Sequence, residues 1–153
     1  MSNLFINTYM YAINKATYKT MGRAGITISR LAIDDLIRFL REKGVLDERP
    51  SIEDVQRLFT RDLAIADHIE IEEKDCDLTI VLRRLKISDF LEKIQEEKFE
   101  PVACPLSGVI IRVCEMHAGC RLVLRGFQVI DPYTVAMKCT KMPEKAPEPT
   151  APF

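Results

Sequence analysis

From about Leu4 to Ala66, apolar residues recur with helical spacing, and beyond that the pattern changes to alternation. Alternating segments span His68–Glu73 and Leu78–Arg83. Helical stretches follow at Ser88–Lys98 and Pro105–Ala118, and strand-like runs at Arg121–Ile130 and Tyr133–Thr140. Helices, hairpin, helices, hairpin is the order of a small α+β domain with helices packed on an antiparallel sheet.

Within the first helix, Ile6, Met10, Ile13 and Thr17 fall along one side, with Tyr9 and Ala16 beside them. Gly22 or Gly25 suits its end, because glycine enters the left-handed region without strain. The second helix places Ile33, Leu36, Ile37 and Leu40 at i, i+3, i+4, i+7 and stops at Gly44. In the third, Ser51 and Asp54 stand in a capping-box arrangement ahead of Val55, Leu58 and Phe59. Ile69 and Ile71 alternate with His68, Glu70 and Glu72, so one strand face is buried and the other wet. Lys74-Asp75-Cys76-Asp77 is the expected turn, and Leu78, Ile80 and Leu82 or, with less regularity, Val81 the inward set of the partner strand. The last hairpin turns at Asp131-Pro132, with Leu122, Leu124, Val129, Val135 and Met137 on its apolar faces.

Composition narrows the class. With 153 residues, 47% hydrophobic and 29% charged, the chain carries enough apolar surface for one real core. Residues 1–142 read as a single α+β domain. Residues 143–153, proline-rich and without apolar periodicity, read as a flexible tail. A formal charge of −1 offers no broad field for nucleic acid or an anionic membrane. Apolar runs are too short for a spanning helix, and the N-terminus lacks the basic start and apolar core of a signal peptide. Five scattered cysteines fit a reducing compartment, so the expected location is the cytoplasm.

The sharpest local constellation is C-x-x-H-x-x-C, formed by Cys114, His117 and Cys120. With Cys104 or Cys139 it offers sulfur and nitrogen donors of the kind that hold zinc in a tetrahedron. Pro105 suits a first helical position, which sets Cys104 near helix-terminal amides that favour a thiolate. The alternative is plain: buried cysteines behave as small hydrophobes, and His117 complements the end of its helix. A Cys114–His117 nucleophile pair lacks an orienting third group and an oxyanion device, so the reading is non-enzymatic. The basic stretch Arg83-Arg84-Leu85-Lys86 raises a winged-helix nucleic-acid binder. The third helix opens with Glu53 and Asp54 and offers only Arg57 and Arg61 beyond, which is poor for a recognition helix. Tyr9, Tyr11, Tyr18, Phe39, Met10 and Met21 raise a lined pocket, although a filled core uses the same residue types.

Three segments resemble a known family. Tyr18-Lys19-Thr20-Met21-Gly22-Arg23-Ala24-Gly25 is similar to the aromatic, Gly-terminated first helix with an R-A-G ending found in 4-vinyl-reductase-type small-molecule-binding domains. That superfamily is shared with trafficking-particle complex subunits and aromatic-sensing regulator domains. Cys104-Pro105-Leu106-Ser107-Gly108 resembles its C-x-x-x-G entry to the helix before the final hairpin, and Cys139 its terminal cysteine. The strand Arg121–Ile130 carries neither the Glu nor the Cys that zinc-binding members supply there, so Cys104 and Cys139 alone match ligand positions. The resemblance implies a hydrophobic small molecule or acyl chain bound between helices and sheet, usually in a homodimer, without catalysis.

The sequence therefore predicts a binding or sensing module with Tyr9, Ile13, Leu36, Leu40, Val109 and Val113 around the ligand. Ile6, Tyr11 and Tyr18 leave apolar area on the first helix for an isologous dimer. The metal candidates are Cys104, Cys139, Cys120, Cys114 and His117, for zinc. The contrasting reading is an interaction or scaffold protein with a filled core.

Overall fold

The computed structural model describes residues 3–142, and the tail expected over 143–153 lies outside them. Helix α1, Leu4–Met21, starts where the Asn3 side chain accepts a hydrogen bond from the Ile6 N–H (3.1 Å). It stops at Gly22, whose φ of 55° few side chains tolerate. A 3₁₀ turn, Gly22–Gly25, leads into α2, Ile26–Glu42. Helix α3, Ile52–Arg57, carries the full capping box: Ser51 and Asp54 each accept from the other's backbone N–H. It continues into a wider π turn, Leu58–Asp62, a change of pitch that apolar spacing alone does not signal.

Strands β1, His68–Lys74, and β2, Asp77–Arg83, form the first hairpin. Helices α4, Ser88–Glu97, and α5, Leu106–Ala118, follow. Helix α5 ends at Gly119, with φ 69°. Strands β3, Arg121–Asp131, and β4, Thr134–Met142, make the second hairpin. The fold is α+β, with a four-stranded sheet of order β1-β2-β4-β3, antiparallel throughout because β2 pairs with β4 and joins the hairpins. Among the described residues no helix is long and apolar enough to cross a membrane.

Register puts Ile69 beside Leu82, Leu82 beside Val135, and Ile80 beside Met137, so one face of the sheet is continuously apolar. Glu70, Glu72 and Lys138 occupy the opposite, exposed face. In β3 the alternation breaks twice, at Arg125 and again at Ile130 beside the turn, and the first break shapes the wall. Leu124 lies opposite Cys139 and Gly126 opposite Lys138, leaving Arg125 as the extra residue of a bulge. The bulge reverses parity, so Leu124, Phe127 and Val129 all face the helices. Val55, Leu58, Phe59, Ile69, Leu78, Ile80, Phe90, Val113 and Met137 form the most deeply buried part of the core.

Helix α1 corrects the sequence reading. Its buried positions are Asn7 and Asn14, with Met10 partly buried between them, while Ile6 and Ile13 remain 42% and 40% exposed. The helix docks by hydrogen bonds rather than by an apolar stripe. Asn7 donates to the Lys86 carbonyl (2.8 Å) and accepts from the Phe90 N–H (2.9 Å), capping α4 from another element because Ile87 has no capping side chain. Asn14 accepts from the Ala103 N–H (2.9 Å). Tyr11, expected to face outward, hydrogen-bonds Glu97 (2.8 Å), and Tyr11 and Tyr18 both pack against Phe99. In α2 the buried line is Ser29, Ile37 and Leu40, with Ile33 partly buried. Leu36 lies on the exposed edge.

Candidate functional site

The backbones of α2 and α4 stay more than 8 Å apart, and the space between them is a cavity of about 610 Å³. Its boundaries are α2, α4, the segment 100–104, α5 and the inward face of β3 and β4. Buried Leu82, Phe90, Ile110 and Met137 give it an apolar interior, and half-exposed Phe127 and Leu124 stand at its margin. Each wall has a local cause. Asn7 holds α4 at its first turn, and the Ser29 hydroxyl donates to the Val102 carbonyl (2.7 Å), tying α2 to the loop before α5. Gly108 lets α5 approach α2, since a Cβ there would fall 2.2 Å from Ile33 Cδ1. The volume falls within the roughly 300–1,000 Å³ range of small-molecule pockets.

None of the six residues expected around a ligand lines this cavity. Leu40, Val109 and Val113 are buried in the core, and Tyr9, Ile13 and Leu36 are exposed on outer helix surfaces. Helix α1 packs on α4, behind the cavity wall, so its side chains do not reach the space. On α5 the cavity meets Leu106, Ser107, Gly108, Ile110 and Ile111, the stripe beside the one that carries Val109 and Val113. Residues the sequence reading missed, Ile26, Ile33, Phe90, Ile94 and Phe127, occupy the positions it assigned to others. For Phe127 the signal was present in Gly126, which marks the bulge.

The five metal candidates do not converge. Among the described residues no group of three or more His, Cys, Asp or Glu side chains is placed to hold a metal ion. Cys114 and Cys139 are buried near one another, and burial pushes the Cys114 thiol up to about 12. Cys139 is also raised, again chiefly by burial. Cys104 lines the cavity instead. The expected helix-terminal effect is present as the Leu106 N–H, but loss of water outweighs it and the thiol is raised, favouring SH. His117 is occupied elsewhere: Nδ1 lies 2.8 Å from the Pro50 carbonyl, which requires it to donate, and Nε2 lies 3.6 Å from Glu73. Cys120 is partly buried at the start of the last hairpin.

The basic stretch is largely compensated. Arg83 pairs with Glu70 (3.3 Å) and Lys86 with Asp67 (2.6 Å). The pair raises Lys86, first through the Asp67 hydrogen bond, and holds Asp67 below its ordinary range.

What fold and site define together is an α+β protein with an apolar cavity between its helical layer and the inward face of its sheet. The chain is 29% identical over 124 residues to an uncharacterized protein of Methanocaldococcus jannaschii, an alignment covering 81% of this chain and 78% of that protein. No family model matches the chain.

Proposed function

We propose that this protein is a non-enzymatic binding or sensing module for a hydrophobic small molecule or acyl chain, acting as a homodimer. The observation that carries the proposal is the apolar cavity between α2, α4, α5 and the sheet. Its titratable lining supports binding over proton transfer: Arg30 is at the edge, Glu100 is engaged by Arg23 (3.1 Å), and the Cys104 thiol is held protonated by burial. A ligand entering the cavity gains from desolvation at about 25 cal/mol per Å² of apolar surface. The likeness of Tyr18–Gly25 and of Cys104–Gly108 to small-molecule-binding domains points the same way.

The dimer is motivated by the outer surface of the helices. Phe5 and Tyr9 stack with ring centroids 6.1 Å apart while 74% and 55% exposed, and Leu31 and Phe39 of α2 are also exposed. Isologous pairing would remove such a patch from water. Sedimentation is the check, with a dimer expected at micromolar concentration and a monomer counting against that half of the proposal.

For the cavity, gently purified protein in native mass spectrometry should carry a co-purified small molecule. After its removal the protein should take up the neutral dye Nile red with one site per chain. Ile111→Trp, which projects an indole from the cavity wall, should abolish uptake while leaving the fold intact by circular dichroism. Absence of both adduct and dye uptake would overturn the proposal and leave the scaffold reading.

A further inference from the structure

The polar groups around the cavity are not equally committed. Ser29 donates to Val102 and Glu100 is paired with Arg23. Arg30, Gln95 and Ser107 also line the space, and among the described residues no hydrogen bond or ion pair engages any of the three. Arg30 therefore brings a positive charge without an ion-pair partner to a mostly apolar lining, whose one carboxylate, Glu100, is met by Arg23. It stands one turn before Ile33, the side chain that meets Gly108, and so on the face of α2 that meets the first turn of α5. Pro105 precedes that turn and supplies no side-chain acceptor, the Cys104 sulfur takes the Leu106 N–H, and Ser107 and Gly108 line the cavity. A guanidinium and a helix N-terminus on the same rim both favour an anion.

We propose that the ligand is an amphipathic monocarboxylate whose carboxylate sits at Arg30 and whose apolar body fills the cavity. This rests on the binding function proposed above. With Glu100 paired to Arg23, the one cation left on the lining matches one negative charge, and a guanidinium matches the planar carboxylate through two parallel N–H···O bonds. Arg30 is exposed, so the head group keeps part of its hydration and the site avoids the cost of burying a charge. The body meets Ile33, Phe90, Ile94, Ile110 and Phe127, none of which presents a polar atom from its side chain.

Dodecanoate and dodecan-1-ol, equal in chain length and different in head group, are titrated against bound Nile red for the wild type and Arg30→Gln. The expected result is tighter displacement by dodecanoate in the wild type. The substitution should cost dodecanoate roughly five- to tenfold in affinity while leaving dodecanol unchanged. Equal affinity for the two ligands, equal loss of both in the variant, or a carboxylate preference that survives Arg30→Gln would each overturn the head-group assignment while the cavity reading stands. Failure of both ligands and of the dye would overturn the cavity reading, and this inference with it.

Discussion

Replacing Asn7 with alanine is the most direct test of how the helical layer is held. The wild-type side chain bridges three places: its amide donates to the Asn3 and Lys86 carbonyls, both at 2.8 Å, and its oxygen accepts from the Phe90 N–H at 2.9 Å. Phe90 is only 1% exposed, so water cannot replace the missing acceptor. Leaving a buried donor unpaired costs about 1–3 kcal/mol, and loss of the bond to Lys86 adds about 1 kcal/mol. Asn7→Ala should therefore cost about 2–4 kcal/mol, a large share of the roughly 5–15 kcal/mol that holds an ordinary domain. In urea, at a slope near 2 kcal/mol per molar, the unfolding midpoint should drop by roughly 1–2 M. Thr8→Ala, at an exposed position of the same helix, is the control and should move it little. An Asn7→Ala midpoint indistinguishable from that of Thr8→Ala would refute the argument that α1 docks through this bridge.

Two further outcomes follow from features of the walls and surface. Gly108→Ala should change stability by less than about 1 kcal/mol, because better helix propensity offsets displacement of the flexible Ile33 tip, yet it should weaken Nile red uptake; unaltered uptake would show that this contact does not shape the cavity. Glu73 and Glu97 are held below the ordinary value of 4.5, first by hydrogen bonds from Lys141 and Lys15 respectively. Their contribution is complete above pH 4.5 and is lost as the pH falls through their lower folded values. The urea midpoint should accordingly fall on acidification below 4.5, less steeply in Glu73→Gln; a midpoint that rises there would contradict the sign.

Element types and both hairpin turns were legible because they depend on local pattern. Ser51 and Asp54 announced a helix start that the structure reproduces, and Ile33, Ile37 and Leu40 marked the inward side of α2. The inward side of α1 was hidden because its buried residues are asparagines, which hydropathy places in water and which earn burial only through distant partners at Lys86, Phe90 and Ala103. The candidate site was less legible than the fold. Its volume arises from a gap between α2 and α4, and a gap has no residue to mark it. Cys104 and Cys139 belong to different surroundings, one on the cavity before α5 and one on β4 beside Cys114.

The bulge at Arg125 makes β3 a strand with a spare residue. Deleting Arg125 would bring Gly126 into line after Leu124 and leave Phe127 opposite Met137, so the ladder would run in regular alternation as far as Val129 with the same inward side chains. Inserting a residue anywhere between Gly126 and Val129 has the reverse effect, turning one or more of the wall's apolar side chains to solvent. The mouth of the cavity is therefore tolerant of length change at one point on its edge and intolerant a few positions later. Among homologues, a one-residue gap aligned at Arg125 would be compatible with the same wall, whereas a gap two or three positions further along would mark a chain whose cavity has a different lining.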